Sequence, residues 1–189
     1  MKKLGLLLTA LAILTLTFAG TKEVNTELSN VQWEGKKVTG AHNGDIKIKS
    51  GSFTFENEIL TGGTIEMDMA SMTCTDLQGD MAGKLMGHLK SADFFDVENH
   101  PTASYVITKV VSRGMPGEYK LIGNMTIKGI TQEVKLNVKF NENNSEANAQ
   151  MQLDRTDYNV KYGSGSFFDN LGDKTIFDEF TLNISLILK

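Results

Sequence analysis

One cysteine, three histidines and two prolines in 189 residues remove several chemistries before any pattern is read. Cys74 has no partner for a disulfide within the chain, so no disulfide framework holds this fold. No histidine lies near it in sequence, and it reads as a small apolar side chain beside Met72 rather than an activated nucleophile. His42, His88 and His100 lack ligand spacing such as HxxxH, and each reads as a hydrogen-bonded or solvated side chain. There is no GxSxG elbow, because GSGSF at residues 163–167 has the wrong order and no helix after it. The same lack of a following helix removes a phosphate loop.

Long apolar runs are also missing, apart from one at the N-terminus. Lys2 and Lys3 precede an apolar stretch at residues 4–16, and Thr17-Phe18-Ala19 forms a small-residue cleavage site. The run falls short of the ~20 residues that a spanning helix needs. No cysteine follows it, which excludes lipoprotein anchoring at that site. Residues 1–19 are therefore expected to be a cleaved signal peptide. Residues 20–189 would then be one exported domain, periplasmic or secreted, with no stable membrane span. Without Lys2 and Lys3 the chain holds 17 basic against 23 acidic residues, a formal charge of −6. That balance gives no electrostatic footprint for nucleic acid and no attraction to an anionic membrane surface. About 170 residues suffice for one sizeable core.

What is present is alternation. Val134, Leu136, Val138 and Phe140 alternate with Lys135, Asn137 and Lys139. Asn143-Asn144 supplies a turn, and Ala147, Ala149, Met151 and Leu153 alternate on the return. Phe180, Leu182, Ile184, Leu186 and Leu188 repeat the pattern. Earlier strands are expected near residues 46–48, 53–55, 65–69, 104–110, 119–123 and 125–127. Gly62-Gly63, Pro116-Gly117 and Gly129 read as turns or bulges between them. About eight antiparallel strands suit a closed up-and-down barrel, and a two-sheet sandwich fits the periodicity nearly as well.

Residues 84–105, KLMGHLKSADFFDVENHPTASY, break the pattern. Leu85, Met86 and Leu89 share one face at helical spacing, with Lys84, His88 and Lys90 around it. Phe94 and Phe95 follow, and Pro101 bars continuation of the helix. One greasy helix among strands suggests a plug or lid on a barrel. This stretch resembles the segment ahead of a mid-barrel strand in the YceI-like family, periplasmic lipocalin-like barrels that bind polyisoprenoid lipids. GNMTIKGITQEVKL at residues 123–136 and LDRTDYNV at residues 153–160 resemble two further family signatures, in the right order. Tyr158 is followed by Asn159 where a glycine is usual, and His42 coincides with the family's early histidine.

The resemblance implies an all-β, antiparallel, eight-stranded lipocalin-like barrel with one short helix. It implies non-catalytic binding or transport of a polyisoprenoid or quinone-like lipid in the cell envelope, with no cofactor or metal required. The expected lining is Phe53, Phe55, Met67, Met69, Met125, Phe140 and Met151 on strands, with Met86, Leu89, Phe94 and Phe95 at the lid. Each methionine alone also fits a packed core, although its flexibility suits a pocket that grips a floppy chain. One buried CH₂ is worth about 0.8 kcal/mol, so an isoprene unit contributes roughly 4 kcal/mol gross without any polar motif. Arg155 either braces Asp157 or meets a lipid head group. Phe167 and Phe168 either cap the barrel as fixed core or form a mobile lid. The competing class is an envelope enzyme drawing acid–base groups from His42 and residues 154–157. The oligomeric state stays open, a homodimer included.

Overall fold

The computed structural model describes residues 19–189, which leaves the expected signal peptide outside the described residues except for Ala19. Nine strands follow in order: β1 (Ala19–Glu23), β2 (Asn30–Lys37), β3 (Gly40–Glu56), β4 (Ile59–Asp68), β5 (Thr102–Ser112), β6 (Glu118–Ile127), β7 (Ile130–Phe140), β8 (Glu146–Asp154) and β9 (Ile176–Ile187). One helix, α1 (Gly79–Lys90), interrupts them. Every pairing between these strands is antiparallel, β9 returns to β2, and β3 pairs β4, so β2 to β9 form a closed eight-stranded barrel. The barrel expectation therefore holds over the sandwich. Short β1 extends the edge of β2 along β3, and the Val24–Leu188 bridge carries it on towards the last strand.

Several strands are longer than the sequence pattern suggests. Residues 46–48 and 53–55 belong to one strand of 17 residues, β3, whose pairing with β4 shifts between Ile48 and Ser50. Residues 119–123 and 125–127 are likewise one strand, β6. Gly62-Gly63 lies inside β4 beside a register shift rather than at a turn. Gly63 is needed there because a Cβ would run into the Phe53 ring and the Ser52 carbonyl. Asn159 adopts a left-handed conformation (φ 58°), which asparagine tolerates, so it serves where a glycine would.

The two ends of the barrel differ. At one end Phe140 meets Phe53, Phe55 and Tyr119 edge-on, with ring centroids 5.3, 5.7 and 6.1 Å away. Such edge contacts add ~0.5–1.5 kcal/mol each beyond burial, and together they plug this end. At the other end the strands part in two places. β3 pairs β4 only from Lys47 onward, so residues 40–46 lack that neighbour. β7 and β8 pair only at Val138–Phe140 against Ala147–Ala149. The barrel thus flares towards the end that carries α1.

Each flare is sealed by chain that is not a strand. Beside β3, Thr73 and Thr75 donate backbone N–H bonds to the carbonyls of Asp45 and Asn43, and Trp33 Nε1 donates to the Thr73 carbonyl at 2.9 Å. Gly44 permits this approach, since a Cβ there would collide with the Thr73 carbonyl. Asp76 completes the seam: its Oδ2 lies 2.7 Å from His42 Nδ1 and its Oδ1 accepts from the Asn43 N–H. Beside β7, Gln132 donates to the Asp157 carbonyl.

Arg155 anchors the turn that covers the second seam to β9, and its partner is not Asp157. Its side chain is 2% exposed and bonds Asp178 Oδ1 at 3.2 Å. Nε donates to the Phe177 carbonyl, Nη1 to that of Val160, and Nη2 to that of Ile176. Burial lowers the guanidinium's proton affinity, and Asp178 and Asp154 oppose that. Ser166 Oγ donates to the other oxygen of Asp178 at 2.6 Å, tying the 163–168 loop to β9.

Two outcomes test these seams. Arg155→Ala strands three carbonyls and the Asp178 carboxylate, so chemical denaturation should show a loss of roughly 3–5 kcal/mol. A loss below about 1 kcal/mol would show that Arg155 is not the anchor. For Asp76, burial pushes its pKa up. The His42 hydrogen bond, the Asn43 N–H, Cys74 and the His42 charge outweigh that and bring it down to about 2. A depressed carboxylate contributes above its unfolded value of about 3.9, and the contribution fades as pH falls towards about 2. Asp76→Asn should therefore cost about 1 kcal/mol at neutral pH, discounted for its partial exposure, and that cost should shrink to a small remainder near pH 2. An equal gap at both pH values would refute the assignment.

Candidate functional site

A cavity of about 280 Å³ opens at the flared end beneath α1. That is just below the ~300–1,000 Å³ usual for small-ligand sites. Its walls are Trp33 from β2, Ile46 from β3, Met67 from β4, Ala103 from β5, Met125 and Ile127 from β6, and Phe180 and Leu182 from β9. Met69 and Met72 follow β4 into the wall, while Leu85, His88, Leu89, Phe94 and Phe95 roof it. Arg155, Tyr162, Ile176 and Phe177 close the side nearest the second seam. Lys36, Lys37, His42 and Glu179 stand at the rim.

Of the side chains singled out from sequence, Met67, Met69, Leu89, Phe94, Phe95, Met125 and Arg155 line this cavity. Met86 packs half-buried against the core from α1 but does not line it. Phe55 and Phe140 belong to the plug at the far end. Phe53 is in that plug too, and with Met151 it borders a second void of about 50 Å³ deeper in the barrel. Phe168 is neither cap nor lid. It is 51% exposed and outside the cavity lining, and Phe167 lies under Lys161 Nζ, 4.5 Å from its centroid. The loop is pinned rather than loose, because both phenylalanine N–H groups bond the carbonyl of Ser164, which is fully buried. Trp33 and Tyr162 escaped the sequence reading, since no motif marks them and their strand and loop meet only in the fold; His88, expected to be hydrogen-bonded or solvated, instead lines the cavity with Nε2 buried and unpartnered.

Met67, Met125 and Leu182 border both the outer cavity and the deeper void. The two spaces are thus separated by side chains rather than backbone, and methionine's flexible thioether makes that partition adjustable. The roof is less firmly held than the walls. No residue of α1 is fully buried, Gln78 gives it no side-chain cap, and Gly83 and Gly87 face open space. Its C-terminal side is anchored: Lys90 Nζ bonds the Ala70 carbonyl, and Lys128 Nζ bonds those of Ala92 and Phe94. Phe94 packs edge-on to Phe95 at 5.0 Å and lies under Arg155 at 5.5 Å.

The polar groups of the site are mostly engaged. Arg155 spends four of its five N–H donors on backbone carbonyls and Asp178. His42 is held through Nδ1 by Asp76, and Lys36 pairs Glu34 at 2.7 Å. Cys74 Sγ lies 3.2 Å from Asp76 Oδ1, and burial with that bond raises its pKa, which keeps it a thiol. Asp154 accepts from the N–H and hydroxyl of Thr156, capping a short 3₁₀ turn. Neither Asp154 nor Asp157 lines the cavity. Among the described residues no cluster of three or more His, Cys, Asp or Glu could hold a metal. One group stands apart: His88 Nε2 is buried without a hydrogen-bond partner. Leaving such a group unmet costs about 1–3 kcal/mol.

Comparison with known proteins adds the lineage. The solved structure of BcnA from Burkholderia cenocepacia aligns with a TM-score of 0.66 at 22% identity, covering 87% of this chain and 98% of that one. A polyisoprenoid binding domain from Saccharophagus degradans aligns at 0.63 and 12% identity, over 89% and 97% of the two chains. At such identities the likeness speaks for the fold. A UPF0312 protein of Pectobacterium atrosepticum is 42% identical over 53 residues, 28% of this chain and 27% of the relative. One from Pseudomonas putida is 28% identical over 128 residues, 62% and 63% of the two. The matched stretches thus span less than two thirds of these relatives' lengths. The YceI-like domain description matches residues 23–188, and the chain belongs to that family.

Proposed function

We propose that this barrel binds, and carries without chemical change, an isoprenoid lipid in the cell envelope. The observation that carries the reading is the apolar cavity under α1, walled by methionines and aromatic rings and plugged at its far end. Its energy would come from burying hydrocarbon, at about 0.8 kcal/mol per CH₂ before ordering costs. The tail would point inward, and one longer than the outer cavity would pass between Met67 and Met125 into the deeper void. The polyisoprenoid binding domain of Saccharophagus degradans shares the fold and supports this reading. The competing enzyme reading loses its carboxylates, because Asp154 is a capping group and Asp157 lies off the cavity.

Organic extraction of the protein purified from an envelope fraction, followed by mass spectrometry, tests the proposal. Near-stoichiometric isoprenoid lipid is expected, and its mass reads the tail length. Bare protein that also fails to take up a prenyl probe, or a lipid that emerges chemically altered, would overturn it.

The loosely held roof gives a second outcome. Amide exchange across residues 83–92 should be fast in lipid-free protein and slow in the loaded form, while β6 stays protected in both. Equal protection of α1 in the two states would make it a fixed plug.

A further inference from the structure

We infer that His88 recognises an uncharged head-group oxygen, so the site takes a neutral isoprenoid alcohol or quinone ahead of a phosphorylated one. This rests on the lipid-binding reading and specifies its ligand. His88 projects from the pinned end of α1, with its ring 4.4 Å from that of Tyr162 and 5.4 Å from that of Phe94. These edge contacts fix its orientation, while Nε2 remains buried and unpartnered. The other such atom among the described residues, Tyr158 Oη, does not line the cavity.

A neutral imidazole nitrogen either donates to a carbonyl or accepts from a hydroxyl, according to tautomer. One uncharged oxygen is therefore enough to satisfy it, and it can satisfy that oxygen in return. A phosphate asks for more. Its charge would lose water beneath α1, where Arg155 already spends four of its five N–H donors, its charge faces Asp178, and the other cations are rim lysines held in solvent. Glu179 on the same rim adds like charge.

Farnesol, farnesene and farnesyl phosphate share one tail and differ only in the head, so they separate these contributions. Trp33 lines the cavity and is the single tryptophan, giving a fluorescence titration on the lipid-free chain. Farnesol should bind about five- to ten-fold more tightly than farnesene, and farnesyl phosphate more weakly than farnesol. In the His88→Leu variant farnesol and farnesene should bind within two-fold of each other, whatever the change in both, and His88→Gln should keep part of the preference. In the unaltered protein, the ¹⁵N signal of His88 Nε2 should shift with farnesol and not with farnesene, a readout independent of how the variants fold. A farnesol preference that survives His88→Leu, or farnesyl phosphate binding best, would overturn the inference while leaving lipid binding intact. Failure of all three ligands to bind would overturn both.

Discussion

A strand that leaves its neighbour must find another partner for its N–H and C=O groups, and in this barrel that demand shapes the site. β3 parts from β4 at residues 40–46, and β7 parts from most of β8. Buried backbone polar groups left unpaired cost too much to persist. The segment at residues 73–76 meets the first need, and the turn that begins at Arg155 covers the second. Both departures lie at the end that carries α1. β4 and β5 also part at the other end, beyond Thr64 and Val106, but the ring plug fills that end, so the cavity lies under the helix.

Packing divides along the same axis. At the narrow end rigid rings interlock and leave no space for a guest. At the wide end methionines and a half-buried helix enclose a void that backbone does not bound on every side. Residues that hold the opening apart sit beside those that would touch a ligand. Arg155 shows this well: it contributes to the cavity wall, yet each of its hydrogen bonds is structural.

Much of the wall was legible because alternation is a local property of a strand. Met67 and Met125 faced inward as the period-2 pattern implies, and Leu89 follows from the helical spacing of α1. Depth along the barrel was not legible. Phe53, Phe55 and Phe140 have the same inward parity as Met125 but lie at the plugged end, because parity records the face of a strand and not its height. The partner of Arg155 was missed for a related reason. Asp157 is near in sequence, but a forked guanidinium buried among carbonyls reaches Asp178 on β9, the strand paired with β8. Phe167 and Phe168 looked too apolar for solvent, and backbone bonds to Ser164 hold them there regardless.

The sequence by itself determined the strand periodicity, the single helix and the family signatures, since these are set by residues within a few positions of one another. Tertiary structure alone decided which inward side chains enclose space and which fill it. It also decided which polar groups are spent and that His88 Nε2 is not. Those outcomes depend on where strands separate, and separation is settled by hydrogen bonds between segments tens of residues apart.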